Sequence, residues 1–231
     1  MEAAVRAAVD GLAHLGAEVR AVEIPLADQI HPTQWGLMVP EASAYHQENL
    51  RTSADLYGED VRILLEAGDM FLATDYIRAQ RVRTLIRRAW QGLFDGVDVL
   101  IAPATPAPAA ERGQKEFTWA DGSTESVSDA YVRLNAAANL TGMPAVSVPA
   151  GTDSCGLPIG IQLMGAPHNE AVLLQAAAVI EGDGGGRQAT SGCLATEPLT
   201  ECRAARGPAP PDTLQTCGPP LDIGHPISCK L

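Results

Sequence analysis

The run Val97-Asp98-Val99-Leu100-Ile101-Ala102 is followed at once by Pro103-Ala104-Thr105-Pro106-Ala107-Pro108. A short apolar run rich in β-branched residues reads as a buried strand. The proline-rich stretch lacks the backbone donors that a sheet requires, so it must be a loop leaving the strand's C-terminal end. In open α/β sheets that end is where ligands bind. Any fold for this chain therefore has to bury a strand near its middle and carry a stiff loop from one end of it.

The segments around that strand alternate helix and strand character. Val5, Ala8, Val9, Leu12 and Leu15 recur at helical spacing, Gly16 stands at a C′ position, and Val19 to Ile24 read as a strand up to Pro25. After Pro40 the pattern predicts helices over 41–50, 59–67 with Gly68 as the stop, and 69–94. In the last of these, Leu72, Tyr76, Ala79, Val82, Ile86, Ala89 and Leu93 form one apolar stripe. Arg78, Arg81, Arg83, Arg87 and Arg88 occupy most of the remaining surface and read as a solvated face in preference to an RNA contact. Residues 111–128 are polar and Gly/Ser-rich and are expected to be a surface excursion, and 129–140 one helix closed by Thr141-Gly142-Met143-Pro144. Strands over 145–148 and 159–164 are joined by a loop suited to a hairpin or another tight return, and 171–180 is a last helix. The expected class is α/β, a partial mixed β-sheet flanked by helices, followed by a disordered tail.

That tail is defined by a break at Glu181. Residues 182–231 contain 8 Gly, 7 Pro, no aromatic residue and four of the five cysteines. So little apolar surface cannot offset the entropy of ordering, and the domain division is 1–181 folded, 182–231 low-complexity. Cys193, Cys202, Cys217 and Cys229 are separated by 9, 15 and 12 residues, without the short Cys-x-x-Cys pairs of zinc sites.

The net charge of −12 argues against a nucleic-acid partner, whose binding rests on Lys and Arg. No apolar run reaches the roughly 20 residues of a membrane span, and no secretory signal pattern opens the chain, so a cytoplasmic location without a membrane partner is expected. There is no His-Glu-x-x-His, no phosphate-cradling glycine loop before a helix and no Gly-x-Ser-x-Gly elbow. No metal and no cofactor are expected. Glu41, Tyr45, His46 and Glu48 are the densest polar group, with Glu41 and Tyr45 sharing a helix face and His46 rotated off it. His14, His31, His168 and His225 are isolated and read as surface or capping residues. Cys155, in the hairpin loop, has no base nearby and reads as a bystander thiol.

Three spaced blocks carry a resemblance: Asp98-Val-Leu-Ile-Ala-Pro103-x-Thr-Pro106, Asn139-Leu-Thr-Gly142-Met-Pro144-Ala-Val-Ser147-Val-Pro149-x-Gly151, and Gly156-Leu-Pro158-Ile-Gly160-Ile-Gln162-Leu-Met-Gly165. With Leu15 to Pro25 and Asp75-Tyr76-x-x-Ala79-x-x-x-Arg83 before them, the chain resembles the C-terminal part of the amidase signature family over residues 1–181. That family hydrolyses or transfers amides with a lysine, a serine in a cis peptide and a nucleophilic serine on a Gly/Ser-rich loop. No such loop occurs here, and Lys115 and Lys230 are the only lysines, in unrelated contexts. The resemblance therefore implies an amidase fragment whose catalytic residues lie upstream, inactive alone, with no catalytic residue of its own.

In the complete enzyme the partner would be a small-molecule amide substrate. Thr105, Asn139, Thr141 and Met143, together with the Trp35–Tyr45 segment, are the expected border of its pocket. Two alternatives stand beside this reading. One is a fragment of a glutamyl-tRNA(Gln) amidotransferase A-type subunit, which would hold glutamine through charged residues where this chain has Ile63 or Leu64 and Val132. The other is a non-catalytic interaction module. Strands deprived of their family neighbours would leave open edges, so self-association through exposed sheet edges is expected.

Overall fold

A computed structural model of the chain describes residues 1–182 and 227–230. Helix α1, Glu2–His14, buries Val5, Val9 and Leu12, and ends where Gly16 takes a φ of 102°, a left-handed turn that suits glycine. Strand β1 is Glu18–Ala21. Three long helical elements follow: α2, Ala27–Ser53, α3, Glu59–Gly68, and α4, Ala73–Leu93. Strand β2 is Val99–Pro103. A small hairpin of β3, Glu116–Thr118, and β4, Thr124–Ser126, leads to the short helices α5, Val127–Arg133, and α6, Ala136–Thr141. Strands β5, Ala145–Thr152, and β6, Pro158–Gly165, precede α7, Glu170–Ile180. Strand β7, Ile227–Lys230, is the last described element.

The main sheet has the order β1-β7-β2-β6-β5. Its residues alternate between two apolar layers. Val99, Ile101, Ile161 and Leu163 pack with Val5, Val9, Leu12, Leu173 and Ile180 from α1 and α7. Leu100, Ala102 and Met164 point the other way, to Ile30, Leu37, Ile86, Trp90 and Leu140 from α2, α4 and α6. The result is three layers, helix, sheet and helix, with β2 fully buried along its length.

The α/β class holds, while several details differ from expectation. Every pairing in the main sheet is antiparallel, so the mixed ladder inferred from alternating elements does not occur among the described residues. The reason lies in the order of the strands. β1, β2 and β5 do run in one direction, as helical crossovers predict, but β7 and β6 are interleaved between them and run in the opposite one.

Helix α2 begins 14 residues before the expected Glu41 and runs through Pro32 and Pro40. Each proline removes one hydrogen bond. Packing offsets that cost, since α2 lies against α3, α4 and α6. Helix α3 ends at Gly68, the expected stop, and packing adds a second reason for glycine there. A Cβ there would meet Ser43 and come within 2.7 Å of the Val39 carbonyl, so the glycine is needed where α3 crosses α2.

The stretch 111–128 contains the β3–β4 hairpin, in which Phe117 stacks on Trp119 and Arg133 lies over the Trp119 ring. The expected helix over 129–140 is two helices, divided at Leu134 and Asn135. Most of the expected tail, including Cys193, Cys202, Cys217 and His225, lies outside the described residues, whereas residues 227–230 form a strand in place of the disorder expected there.

Candidate functional site

Helix α2 presents Gln34, Met38, Glu41, Ala42 and Tyr45 along one face, at the spacing that aligns successive turns. Together with Leu37, His46, Arg83 of α4 and Asn139 and Leu140 of α6, they line a groove of about 480 Å³. The Trp35–Tyr45 segment thus borders a cavity. His46, expected to point off the Glu41–Tyr45 face, joins them at its rim and makes a 2.9 Å hydrogen bond through Nδ1 with the Tyr57 hydroxyl.

The polar groups of the groove are held by neighbours outside it and within it. The Tyr76 hydroxyl donates to Glu41 Oε1 at 2.8 Å and accepts from Gln80 Nε2 at 2.8 Å. Arg83 Nε donates to the Leu140 carbonyl at 2.8 Å, fixing the guanidinium at the end of α6. The arrangement offers amide donors and acceptors from Gln34 and Asn139, a carboxylate, a guanidinium, and an apolar floor of Leu37 and Met38. It can hydrogen-bond a small polar ligand and bury its apolar part. Among the described residues its lining contains no serine, cysteine or lysine.

Of the four residues expected at a pocket, Asn139 lines this groove and is exposed. Thr105 is half-buried on the proline-rich loop, where its hydroxyl donates to the Ala107 carbonyl at 2.9 Å. That loop is pinned by Tyr131, whose hydroxyl donates to the Pro108 carbonyl at 2.8 Å and accepts from Ala110 N at 2.6 Å. Thr141 is buried, its hydroxyl donating back to the Ala137 carbonyl at 2.7 Å. Met143 is packed in the layer that contains Trp90. The structure therefore brings Asn139 to the cavity and leaves Thr105, Thr141 and Met143 off its lining.

The remaining candidates are dispersed. Glu48 pairs with Arg51 at 3.2 Å on an exposed part of α2. His31 accepts from Trp35 Nε1 at 2.7 Å and lies 3.6 Å from Asp129. His14 and His168 are exposed, as is Cys155 in the β5–β6 turn. Lys115 is exposed beside the β3–β4 hairpin. Among the described residues no group of three or more His, Cys, Asp or Glu is placed to hold a metal ion, and no helix is long and apolar enough to cross a membrane.

Gln34 lies just outside the expected Trp35–Tyr45 border, Met38 lies within it, and Arg83, read from the sequence as part of a solvated face, lines the groove. A signal exists all the same: positions 34, 38, 41 and 45 form a helical stripe, hidden because Pro40 reads as a helix boundary.

The family model described as Amidase matches residues 1–174. An amidase of Pseudomonas putida is 49% identical over 181 residues, covering 78% of this chain and 39% of the relative. The A-type subunit of the glutamyl-tRNA(Gln) amidotransferase of Acaryochloris marina is 34% identical over 205 residues, covering 78% of this chain and 41% of the relative. Among solved structures, an inhibitor-bound chain from a vestigial protein complex, informative on the origins of an s-triazine catabolic enzyme, superposes with a TM-score of 0.72 at 30% identity. That superposition covers 80% of this chain and 40% of the solved one. The chain thus spans about two fifths of the length of the relatives it matches.

Proposed function

Because this chain belongs to the amidase signature family, we propose that its 231 residues supply part of the scaffold and one wall of the substrate groove of an amide hydrolase, and that the bond-breaking groups come from a portion outside them. The observation that carries this reading is the 49% identity to an amidase over 181 residues, set against 39% coverage of that relative. The lining of the groove is in keeping with this division of labour, since among the described residues it offers donors, acceptors and apolar surface but no serine and no lysine. The substrate is a small amide, its acyl or amine part lying on Leu37 and Met38 with Asn139 and Gln34 at its polar end.

A hydrolase is favoured over the transamidating subunit by 49% against 34% identity, and by the uncharged Ile63, Leu64 and Val132 where that subunit would hold glutamine through charge. The test is reconstitution. The 231-residue chain is co-purified with a polypeptide carrying the part of the Pseudomonas putida amidase that it does not match, and turnover of a simple aryl amide is measured. Turnover is expected only from the pair, and only while the added part keeps its serines and lysine. Repurified 231-residue chain that hydrolyses the amide alone, and loses the activity on mutation of one of its own residues, overturns the proposal.

A further inference from the structure

Helices α3 and α4 both lie against α2 and are joined by the four residues 69–72. Their charges are segregated. α4 holds five arginines and one carboxylate, and α3 three carboxylates and one arginine, in a chain whose net charge is −12. On α4, Ile77, Arg81, Leu85 and Arg88 follow one another at steps of three or four, so they share one face, and all four are exposed. On α3, Ile63 shares its face with Glu59, Asp60 and Glu66 by the same spacing, and these are exposed too. Glu66 lies 3.5 Å from Arg62 of its own helix. Among the described residues Glu59, Asp60, Arg81 and Arg88 take part in no ion pair.

Apolar side chains accompany these charges. Ile63, Ile77 and Leu85, with Met70 and Leu72 in the connection between the helices, are each at least half exposed. Single exposed apolar residues are ordinary, but a group of them rimmed by charge marks an interaction surface. A solvated face accounts for the arginines of α4 and leaves Ile77 and Leu85, standing among them, without a reason. Whatever covers this surface must bring carboxylates to α4, cations to α3 and apolar side chains to both. A second copy of the same surface meets all three needs, because a twofold axis sets α3 of each copy against α4 of the other.

We propose that the outward faces of α3 and α4 form a dimerisation surface for a second copy of this chain, with the acidic face of α3 in each copy lying on the arginine face of α4 in the other. Ile63 packs against Ile77 and Leu85 at the centre of each contact, and Glu59 and Asp60 face Arg81 and Arg88 around it. The contact occurs twice and closes, which limits the assembly to two copies, whereas pairing through a strand edge has no such limit. It lies in the helical layer, away from the β5 edge, and association reports on it without any amide turnover.

The test follows the association of the full 231-residue chain by sedimentation equilibrium, with Ser147→Lys present throughout to weaken pairing at the β5 edge. A dimer is expected, its Kd rising about tenfold when salt is raised from about 0.05 M to about 0.5 M, as the charges are screened. Two charge reversals then probe the contact. Arg81→Glu with Arg88→Glu sets acid against acid, and Glu59→Lys with Asp60→Lys sets base against base, so each double variant alone should dissociate at least about tenfold more readily. Mixed in equal amounts they should form a heterodimer of parent affinity, because both contacts are complementary again. Ile77→Ser with Leu85→Ser keeps every charge and should weaken the parent dimer by a similar factor without changing the thermal midpoint of the monomer. A parent chain that stays monomeric overturns the proposal, as does a dimer that all three double variants leave equally stable. A mixture of the two reversed chains, each with the parent's far-ultraviolet dichroism, that fails to associate overturns it as well. So does loss of the dimer on adding the part of the Pseudomonas putida amidase that this chain does not match, which would assign the face to that part.

Discussion

Arg83 and Leu140 are joined by a 2.8 Å hydrogen bond from the guanidinium Nε to the main-chain carbonyl. Leu140 is one residue from the end of α6, where carbonyls have no partner within the helix and carry the negative end of its dipole. One side chain of α4 thus caps α6 and closes one wall of the groove. Arg83→Ala should lower unfolding free energy by about 1.5 to 3 kcal/mol, the range for hydrogen bonds to charged groups. Urea denaturation checks this, and Arg83→Lys should recover only part of the loss because the ammonium lacks the planar fork.

Gln162 makes a parallel connection inside the sheet. Its Nε2 donates to the Pro103 carbonyl at 3.1 Å and to the Leu134 carbonyl at 3.0 Å, with the residue 4% exposed. Gln162→Leu keeps the volume and orphans both acceptors, at an expected cost of about 1 to 3 kcal/mol. Hydrogen exchange should show the loss first at the α5–α6 junction.

Two glycines of the helical layer should respond differently to the same change. At Gly68 an added methyl meets Ser43 and the Val39 carbonyl, both on α2, whereas at Gly36 it comes within 3.2 Å of the Ala79 Cβ alone. Gly68→Ala should cost about 1 to 3 kcal/mol by overpacking. Gly36→Ala faces one methyl instead of backbone and should shift the thermal midpoint less.

The pocket candidates divide by location. Asn139 is exposed on the groove, so Asn139→Ala should change stability by less than about 0.5 kcal/mol. Thr141→Val removes a buried hydroxyl that is bonded to Ala137 and should cost about 1 kcal/mol. With benzamide as the probe, isothermal titration of the reconstituted pair should show weakened binding for Asn139→Ala and an unchanged constant for Thr141→Val.

Among the described residues, strand β5 is the last strand of its sheet and pairs with β6 only, while Ser147, near its middle, is exposed. An uncharged edge of this kind recruits other strands. Sedimentation should show concentration-dependent self-association of the chain, reduced by Ser147→Lys, which places a charge on the edge. A monomer across the accessible concentration range would remove β5 from consideration as an interface.

Much of this architecture is legible in the residues alone. The Val97–Ala102 strand, the Gly16 turn, the 145–165 hairpin and the last helix are local signals, carried by apolar period, glycine and proline within a few residues. The three sequence blocks lead to the family for the same reason, since each is a run of turn and strand residues that needs its own immediate neighbours. The groove is half legible. Glu41 and Tyr45 stand out, while the helical row that aligns them with Gln34 and Met38 is screened by Pro40, whose local preference against helix is overruled by the packing of α2 on three other helices.

What the residues determined by themselves is which faces are apolar and where the chain must turn, because both depend on spacing along the backbone. What tertiary structure decided is strand direction and order, the persistence of α2 through two prolines, the need for glycine at position 68, and the entry of residues 227–230 between β1 and β2. Each of these is settled by atoms far apart in sequence. A helix tolerates proline when its neighbours restore the lost stability, and a strand slot exists only once both of its walls have been brought side by side.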